Sequence, residues 1–130
     1  MEALRVLIVD DEEELVATLV ERLEIRGHSP VGVLSGAEAL KRAEAEEFDV
    51  VVLDIKMPGE DGVEVMKRLK RLRAGLPIIL LTGHMSEETS DRGIQAGATE
   101  YVIKPVNIDD LVEKLRSAVA ASPRRGGAAG

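Results

Sequence analysis

An α/β fold, built on a parallel sheet with helices on both faces, is predicted by three features of this 130-residue chain. Short β-rich apolar runs alternate five times with longer amphipathic segments, the pattern of repeated strand–helix units. Two of the runs, Val50-Val51-Val52-Leu53 and Ile78-Ile79-Leu80-Leu81, are apolar without interruption, as strands buried on both faces must be. The length suits one domain that buries roughly two-thirds of its unfolded surface, enough to fold without a metal or a disulfide.

Each element has its own signal. Leu4 to Val9 is a β-branched run ended by Asp10-Asp11. Glu12 to Arg26 carries Leu15, Leu19 and Leu23 on one helical stripe, acidic residues at the positive end of its dipole, and Gly27 as C-cap. Ser29 to Leu34 contains Pro30 and Gly32, which suit an edge strand. Ser35-Gly36-Ala37-Glu38 is a capping box that opens a second helix, ending near Glu47. Val50 to Leu53 is the strongest strand, closed by Asp54, and Ile55 to Asp61 reads as a loop. A third helix is expected from Gly62 to Arg73, with Val65, Leu69 and Leu72 facing inward. Pro77 to Leu81 is the fourth strand, ended by Thr82-Gly83. A fourth helix, Glu87 to Ala96, has few large apolar residues. Thr99 to Ile103 is the fifth strand, ended by Lys104-Pro105, and Asn107 caps a last helix with Ile108, Leu111, Val112, Leu115 and Val119 on its stripe. Residues 1–121 are expected to form the domain, and Ser122 to Gly130 a flexible tail or linker.

Composition removes several function classes. There is no cysteine, so disulfides, thiolate metal sites and cysteine nucleophiles are excluded. No run approaches the roughly 18 apolar residues of a membrane span, and the N-terminus lacks a signal-peptide pattern; a cytoplasmic protein without membrane insertion is expected. The net charge of -7 disfavours direct nucleic-acid contact. His28 and His84 read as isolated surface residues, and the acidic runs at 12–14 and 44–47 as solvated helix faces.

The chemistry lies at the strand ends. In an open parallel sheet every strand C-terminus lies along one edge, where ligands bind. Asp10, Asp11, Asp54, Thr82 and Lys104 would converge there. Three carboxylates in contact repel one another, and Lys104 compensates only one of them. A divalent cation with hard oxygen ligands, Mg²⁺, would supply the rest. With a metal, an ammonium and a hydroxyl to receive added negative charge, the cluster is equipped for attack of a carboxylate on phosphorus. Taken singly, the same residues have ordinary readings: Asp10-Asp11 as helix caps, Asp54 as a turn residue, Thr82 as a strand end, Lys104 as a solvated lysine, Tyr101 as core.

Four pieces in order carry a family resemblance: Val9-Asp10-Asp11; Leu53 to Gly59 with Gly62; Leu81-Thr82-Gly83; and Tyr101 to Pro105. Over residues 4 to about 121 the chain resembles the receiver domains of two-component response regulators. The resemblance implies a flavodoxin-like doubly wound fold with strand order 2-1-3-4-5. It implies that Asp54 accepts a phosphoryl group from a phosphohistidine of a sensor histidine kinase or histidine phosphotransfer protein. It implies Mg²⁺ held by Asp11, Asp54 and the backbone carbonyl of Lys56, with Asp10 acting through a water. Lys104 would contact the phosphoryl group, and Thr82 and Tyr101 would form a switch pair acting on the surface of the fourth helix, fifth strand and fifth helix. An effector domain or downstream protein would read that surface, and a phosphorylation-dependent dimer is compatible with it. Glu60 and Val106 depart from the usual family residues, away from the inferred chemistry. Such a domain is a switch, not an enzyme with a separate substrate. The alternative is a Mg²⁺-dependent phosphatase-type enzyme with an aspartyl-phosphate intermediate. A nucleotide binder would need a glycine-rich turn after the first strand, where this chain has Asp-Asp-Glu-Glu.

Overall fold

The computed structural model describes residues 3–83, 92–93 and 97–122. Five parallel strands form the central sheet: β1 (Arg5–Val9), β2 (Ser29–Val33), β3 (Val50–Asp54), β6 (Ile78–Thr82) and β7 (Glu100–Ile103). Their order is β2-β1-β3-β6-β7. Two two-residue strands, β4 (Lys56–Met57) and β5 (Glu60–Asp61), pair antiparallel in a separate ribbon within the expected loop. With that ribbon set aside, the order is the expected 2-1-3-4-5 of a flavodoxin-like sheet.

Side chains alternate across each strand, so the core falls into two layers. On one face Leu7, Val9, Val51, Leu53, Ile78 and Leu80 meet α2 (Gly36–Ala45) and α3 (Gly62–Leu72). On the other, Val6, Ile8, Val50, Val52, Ile79 and Leu81 meet α1 (Glu13–Ile25) and the C-terminal helix (Ile108–Ala120). β3 and β6 are buried at every position, which is why their sequences show no polar alternation.

Local chemistry sets the boundaries. Gly27 has φ 86°, and its N–H and that of His28 donate to Glu24 O and Leu23 O, the paired bonds of a Schellman C-cap. Ser35 and Asn107 cap their helices through the N–H groups of Glu38 and Asp110. Glu38 completes its side of the box one residue further back, on Leu34 N–H.

Three expectations need correction. His28 is buried, not on the surface: its Nδ1 accepts the Leu4 N–H at 3.0 Å, satisfying the first backbone donor at the base of β1. Leu72 is 38 % exposed and lines an open groove with Leu40 and Glu44 of α2; Val63 and Met66 fill the inward positions beside Val65 and Leu69. Ser122, placed in the tail, is buried and donates its hydroxyl to Gly75 O. The fourth helix and His84 lie largely outside the described residues; of that helix, Arg92 and Gly93 are described and are helical.

Candidate functional site

The C-terminal edge of the sheet gathers the residues singled out above. Asp10 follows β1 and is fully buried; its Oδ1 accepts the Glu12 N–H at 2.9 Å, an Asx-type turn that leads the chain into α1. Asp11 is exposed beside it. Asp54 is the last residue of β3, and its Oδ1 accepts the Lys56 N–H at 3.0 Å. Carboxylate oxygens of Asp10, Asp11 and Asp54 all lie within 4.8 Å of one another. Asp11 and Asp54 line a cleft with Glu12, Lys56, Thr82 and Lys104, and Asp10 lies buried beneath it.

Register explains the convergence. Asp54 pairs with Leu81 and Thr82 with Ile103, so three neighbouring strands end in step. The Lys104 N–H donates to Thr82 O at 2.8 Å, fixing the root of the lysine, and the Lys104–Pro105 peptide is cis. From there Lys104 Nζ reaches Glu12 Oε1 at 2.5 Å, Asp10 Oδ2 at 3.0 Å and Asp54 Oδ2 at 3.5 Å. Gly62 lets the ribbon fold back tightly: its N–H donates to Ile55 O, and a Cβ there would stand 2.5 Å from Asp54 O.

Three carboxylates, those of Asp10, Glu12 and Asp54, meet the Lys104 ammonium here, with Asp11 beside them. Burial pushes the Asp54 carboxyl up. The Lys56 amide draws it down, the Asp10 charge pushes it up again, and Lys104 draws it down. The balance is a value of about 6. For Lys104, burial alone would lower the ammonium's pKa. Its contacts with Glu12 and Asp10, and the charges of Asp54 and Asp10, outweigh that and hold it above the ordinary lysine value. Lys104 is therefore a fixed positive charge.

Thr82 is buried at the end of β6. Tyr101 pairs with Leu80 on the neighbouring strand, two positions before the Thr82–Ile103 pair, so Thr82 and Tyr101 point to the same face. Tyr101 is half-buried against the α2–α3 core layer, with its hydroxyl set directly over Gly93. A Cβ at Gly93 would collide with that oxygen and stand 2.7 Å from Leu80 Cδ1.

Every candidate from the sequence thus lies at or beside this edge. Four contributors were given no role there. Glu12 read as part of a solvated run, and its partner Lys104 is 92 residues away. Gly62 stood in the recognised pattern without a role. Arg92 pairs with Asp61 at 2.6 Å, tying its helix to the α3 N-cap beside the ribbon. Glu60, noted only as a departure, accepts the Gly36 N–H at 2.9 Å and anchors the start of α2.

With this geometry in view, the family model of the response regulator receiver domain matches residues 6–116. The chain belongs to the response regulator receiver domain family. It is similar to the transcriptional regulatory protein TcrA of Mycobacterium tuberculosis, 36% identical over 119 residues that cover 92% of this chain and 47% of the relative. It is also similar to the alkaline phosphatase synthesis transcriptional regulatory protein PhoP of Bacillus subtilis, 36% identical over 118 residues, 91% and 49% of the two chains. The chain spans about half the length of these curated relatives. Among solved structures, a CheY-like receiver domain protein from Methanospirillum hungatei superposes with a TM-score of 0.86 at 34% identity, covering 92% of this chain and 95% of that one. A response regulator from Burkholderia pseudomallei, solved with a phosphorylated aspartic acid, calcium ion and citrate, superposes with a TM-score of 0.82 at 30% identity, over 89% and 68%. Receiver domains of response regulators are signalling switches, not substrate-turnover enzymes, and the family match leaves the phosphatase-type alternative without support. Among the described residues, no helix is long and apolar enough to cross a membrane.

Proposed function

We propose that this receiver domain is phosphorylated on Asp54, in a Mg²⁺-dependent reaction, by a phosphohistidine of a sensor histidine kinase or histidine phosphotransfer protein. The observation that carries the reading is the convergence of the Asp10, Asp11 and Asp54 oxygens within 4.8 Å, with Lys104 paired to Asp10 and Asp54 beside them. Hard oxygen donors with surplus negative charge fit Mg²⁺, which Asp11, Asp54 and the Lys56 carbonyl would hold, Asp10 helping through a water. When bound, the ion supplies positive charge to the phosphoryl oxygens as the transferring group passes.

The chain's own groups do the rest. The Lys56 N–H holds one Asp54 oxygen and orients the carboxylate. A carboxylate oxygen attacks phosphorus, a P–O bond forms, the P–N bond of the phosphohistidine breaks, and the imidazole leaves. Lys104 pairs with the arriving negative charge, and the Thr82 hydroxyl donates a hydrogen bond to it. Water later attacks phosphorus and restores Asp54. The Burkholderia relative, with its phosphorylated aspartic acid, supports an aspartate as the acceptor.

Thr82 and Tyr101, on one face of adjacent strands, serve as the switch pair. Thr82 is drawn toward the phosphoryl group, and Tyr101 responds by moving the surface formed by the fourth helix, β7 and the C-terminal helix. The relatives named as transcriptional regulators support an effector domain or downstream protein as reader. The net charge of -7 leaves nucleic-acid contact to that reader. The same reading puts the domain in the cytoplasm and admits a phosphorylation-dependent dimer.

Intact-mass measurement after incubation with Mg²⁺ and a small phosphodonor tests the proposal. One phosphate adduct is expected for the parent, and none for Asp54→Ala or for the parent in EDTA. An adduct that persists in Asp54→Ala overturns the assignment.

A further inference from the structure

The shortest contact of Lys104 is not to the carboxylate expected to carry the phosphoryl group. Nζ lies 2.5 Å from Glu12 Oε1, 3.0 Å from Asp10 Oδ2 and 3.5 Å from Asp54 Oδ2. Asp10 and Asp54 are buried, whereas the Glu12 side chain is 59% exposed and stands outside the trio of converging aspartates. The ammonium thus makes three carboxylate contacts, hydrogen bonds to Glu12 and Asp54 and an ion pair with Asp10 Oδ2 that lacks hydrogen-bond geometry. A phosphoryl group on Asp54 would have to take one of them.

Glu12 is placed for this contact by the backbone. It is the N-cap residue of α1, yet its side chain makes no cap hydrogen bond. Asp10 Oδ1 accepts the Glu12 N–H and so fixes the Glu12 backbone at the cleft, which the glutamate lines. We infer that Glu12 is a positioning residue for phosphoryl transfer: it holds Lys104 on the α1 side of the cleft and competes with the phosphoryl group on Asp54 for the same ammonium. Glu12 thereby sets how readily the phosphorylated state forms. The next two residues, Glu13 and Glu14, are exposed members of the same acidic run with no contact to Lys104 among the described residues. They carry the same charge without the grip, and so separate the two effects.

This inference rests on the reading of Asp54 as phosphoacceptor, and the test keeps the two apart. Binding of beryllofluoride, which mimics a phosphoryl group on a carboxylate, is followed by fluorine NMR in Mg²⁺, alongside the rate of phosphate-adduct formation by mass. Glu12→Gln is expected to bind the mimic two- to fivefold more tightly and to gain similarly in adduct rate, the scale of one partly exposed ion pair. Glu13→Gln is expected to change either quantity by less than about 1.5-fold, the through-space charge effect screened by salt. In a Lys104→Met background the Glu12→Gln gain should vanish, since no ammonium is left to share. Equal affinities of Glu12→Gln and parent, an equal gain in Glu13→Gln, or a gain that survives Lys104→Met would each overturn the positioning role while leaving the phosphoacceptor intact. A parent that takes up neither the mimic nor phosphate would instead overturn the phosphoacceptor reading.

Discussion

The two ends of the central sheet are built to opposite rules. At the N-terminal end each backbone donor meets a neutral or well-placed acceptor. The Leu4 N–H goes to His28 Nδ1, the Arg5 N–H to Asp49 Oδ2, and the Ile78 N–H to Thr99 Oγ1. At the C-terminal end, Asp10, Asp11, Glu12 and Asp54 crowd around Lys104. Removing a polar group from the first end should cost stability. Removing charge from the second should increase it, at least while no cation is bound. The fold is secured at one end of the strands and held in electrostatic tension at the other, where a ligand can be used.

Substituting His28 should have the largest effect. His28→Ala removes a buried ring and orphans the Leu4 N–H, which together cost about 2–3 kcal/mol. Chemical denaturation at pH 8 checks it, and a loss below about 0.5 kcal/mol would erase the contrast between the ends. The pH dependence follows the same site. Burial, and then the Arg116 charge, lower the His28 pKa from 6.5. A depressed histidine contributes stability that is fully present above its unfolded value and lost as pH falls through the folded one. The parent should therefore weaken as pH falls below 6.5, and His28→Ala should show a flatter acid limb.

Asp54→Asn comes next and should act with the opposite sign. Burial pushes the folded carboxyl up to about 6, against an ordinary value of 3.8. A carboxyl raised in this way contributes stability that is present below 3.8 and lost as pH rises through about 6. In EDTA at pH 8 the neutral amide should stabilise the protein by about 1–2 kcal/mol, after discounting for the open cleft. Its advantage should shrink to nothing near pH 4, and added Mg²⁺ should narrow the gap at pH 8 by stabilising only the parent. Thermal melts at the two pH values decide it; a destabilised Asp54→Asn at pH 8 would contradict the picture of tension at this end.

Arg92→Ala should matter least for stability. Its pair with Asp61 at 2.6 Å is about half exposed on both sides, and such pairs contribute less than about 1 kcal/mol. A loss of no more than about 0.5 kcal/mol is expected, and it should fade further at high salt. A larger, salt-independent loss would mean that the bond secures the ribbon mechanically.

The comparison also explains what sequence could and could not foretell. The sheet was legible because strands buried on both faces need unbroken apolar runs, and β3 and β6 have them. The aspartates, Thr82 and Lys104 were legible because a parallel sheet must bring its strand ends together. His28 was not: a lone histidine after a C-capping glycine carries no periodic signal, and its partner is the backbone of Leu4, 24 residues earlier. Leu72 continued the α3 stripe by spacing, but spacing does not say which members of a stripe a neighbouring element covers, and Leu72 lies in an open groove. Glu12 looked like its neighbours until the fold brought Lys104 across 92 residues to meet it.

Tyr101, with its hydroxyl seated on Gly93, has a consequence for optical spectroscopy. The chain has no tryptophan, and Tyr101 is its single tyrosine. Its near-ultraviolet emission therefore originates almost wholly from one phenol, at the position between the proposed phosphoryl site and the surface proposed to be read. No label or engineered probe is required. A displacement of that ring changes the quantum yield of the only chromophore that contributes, so the switch carries its own signal.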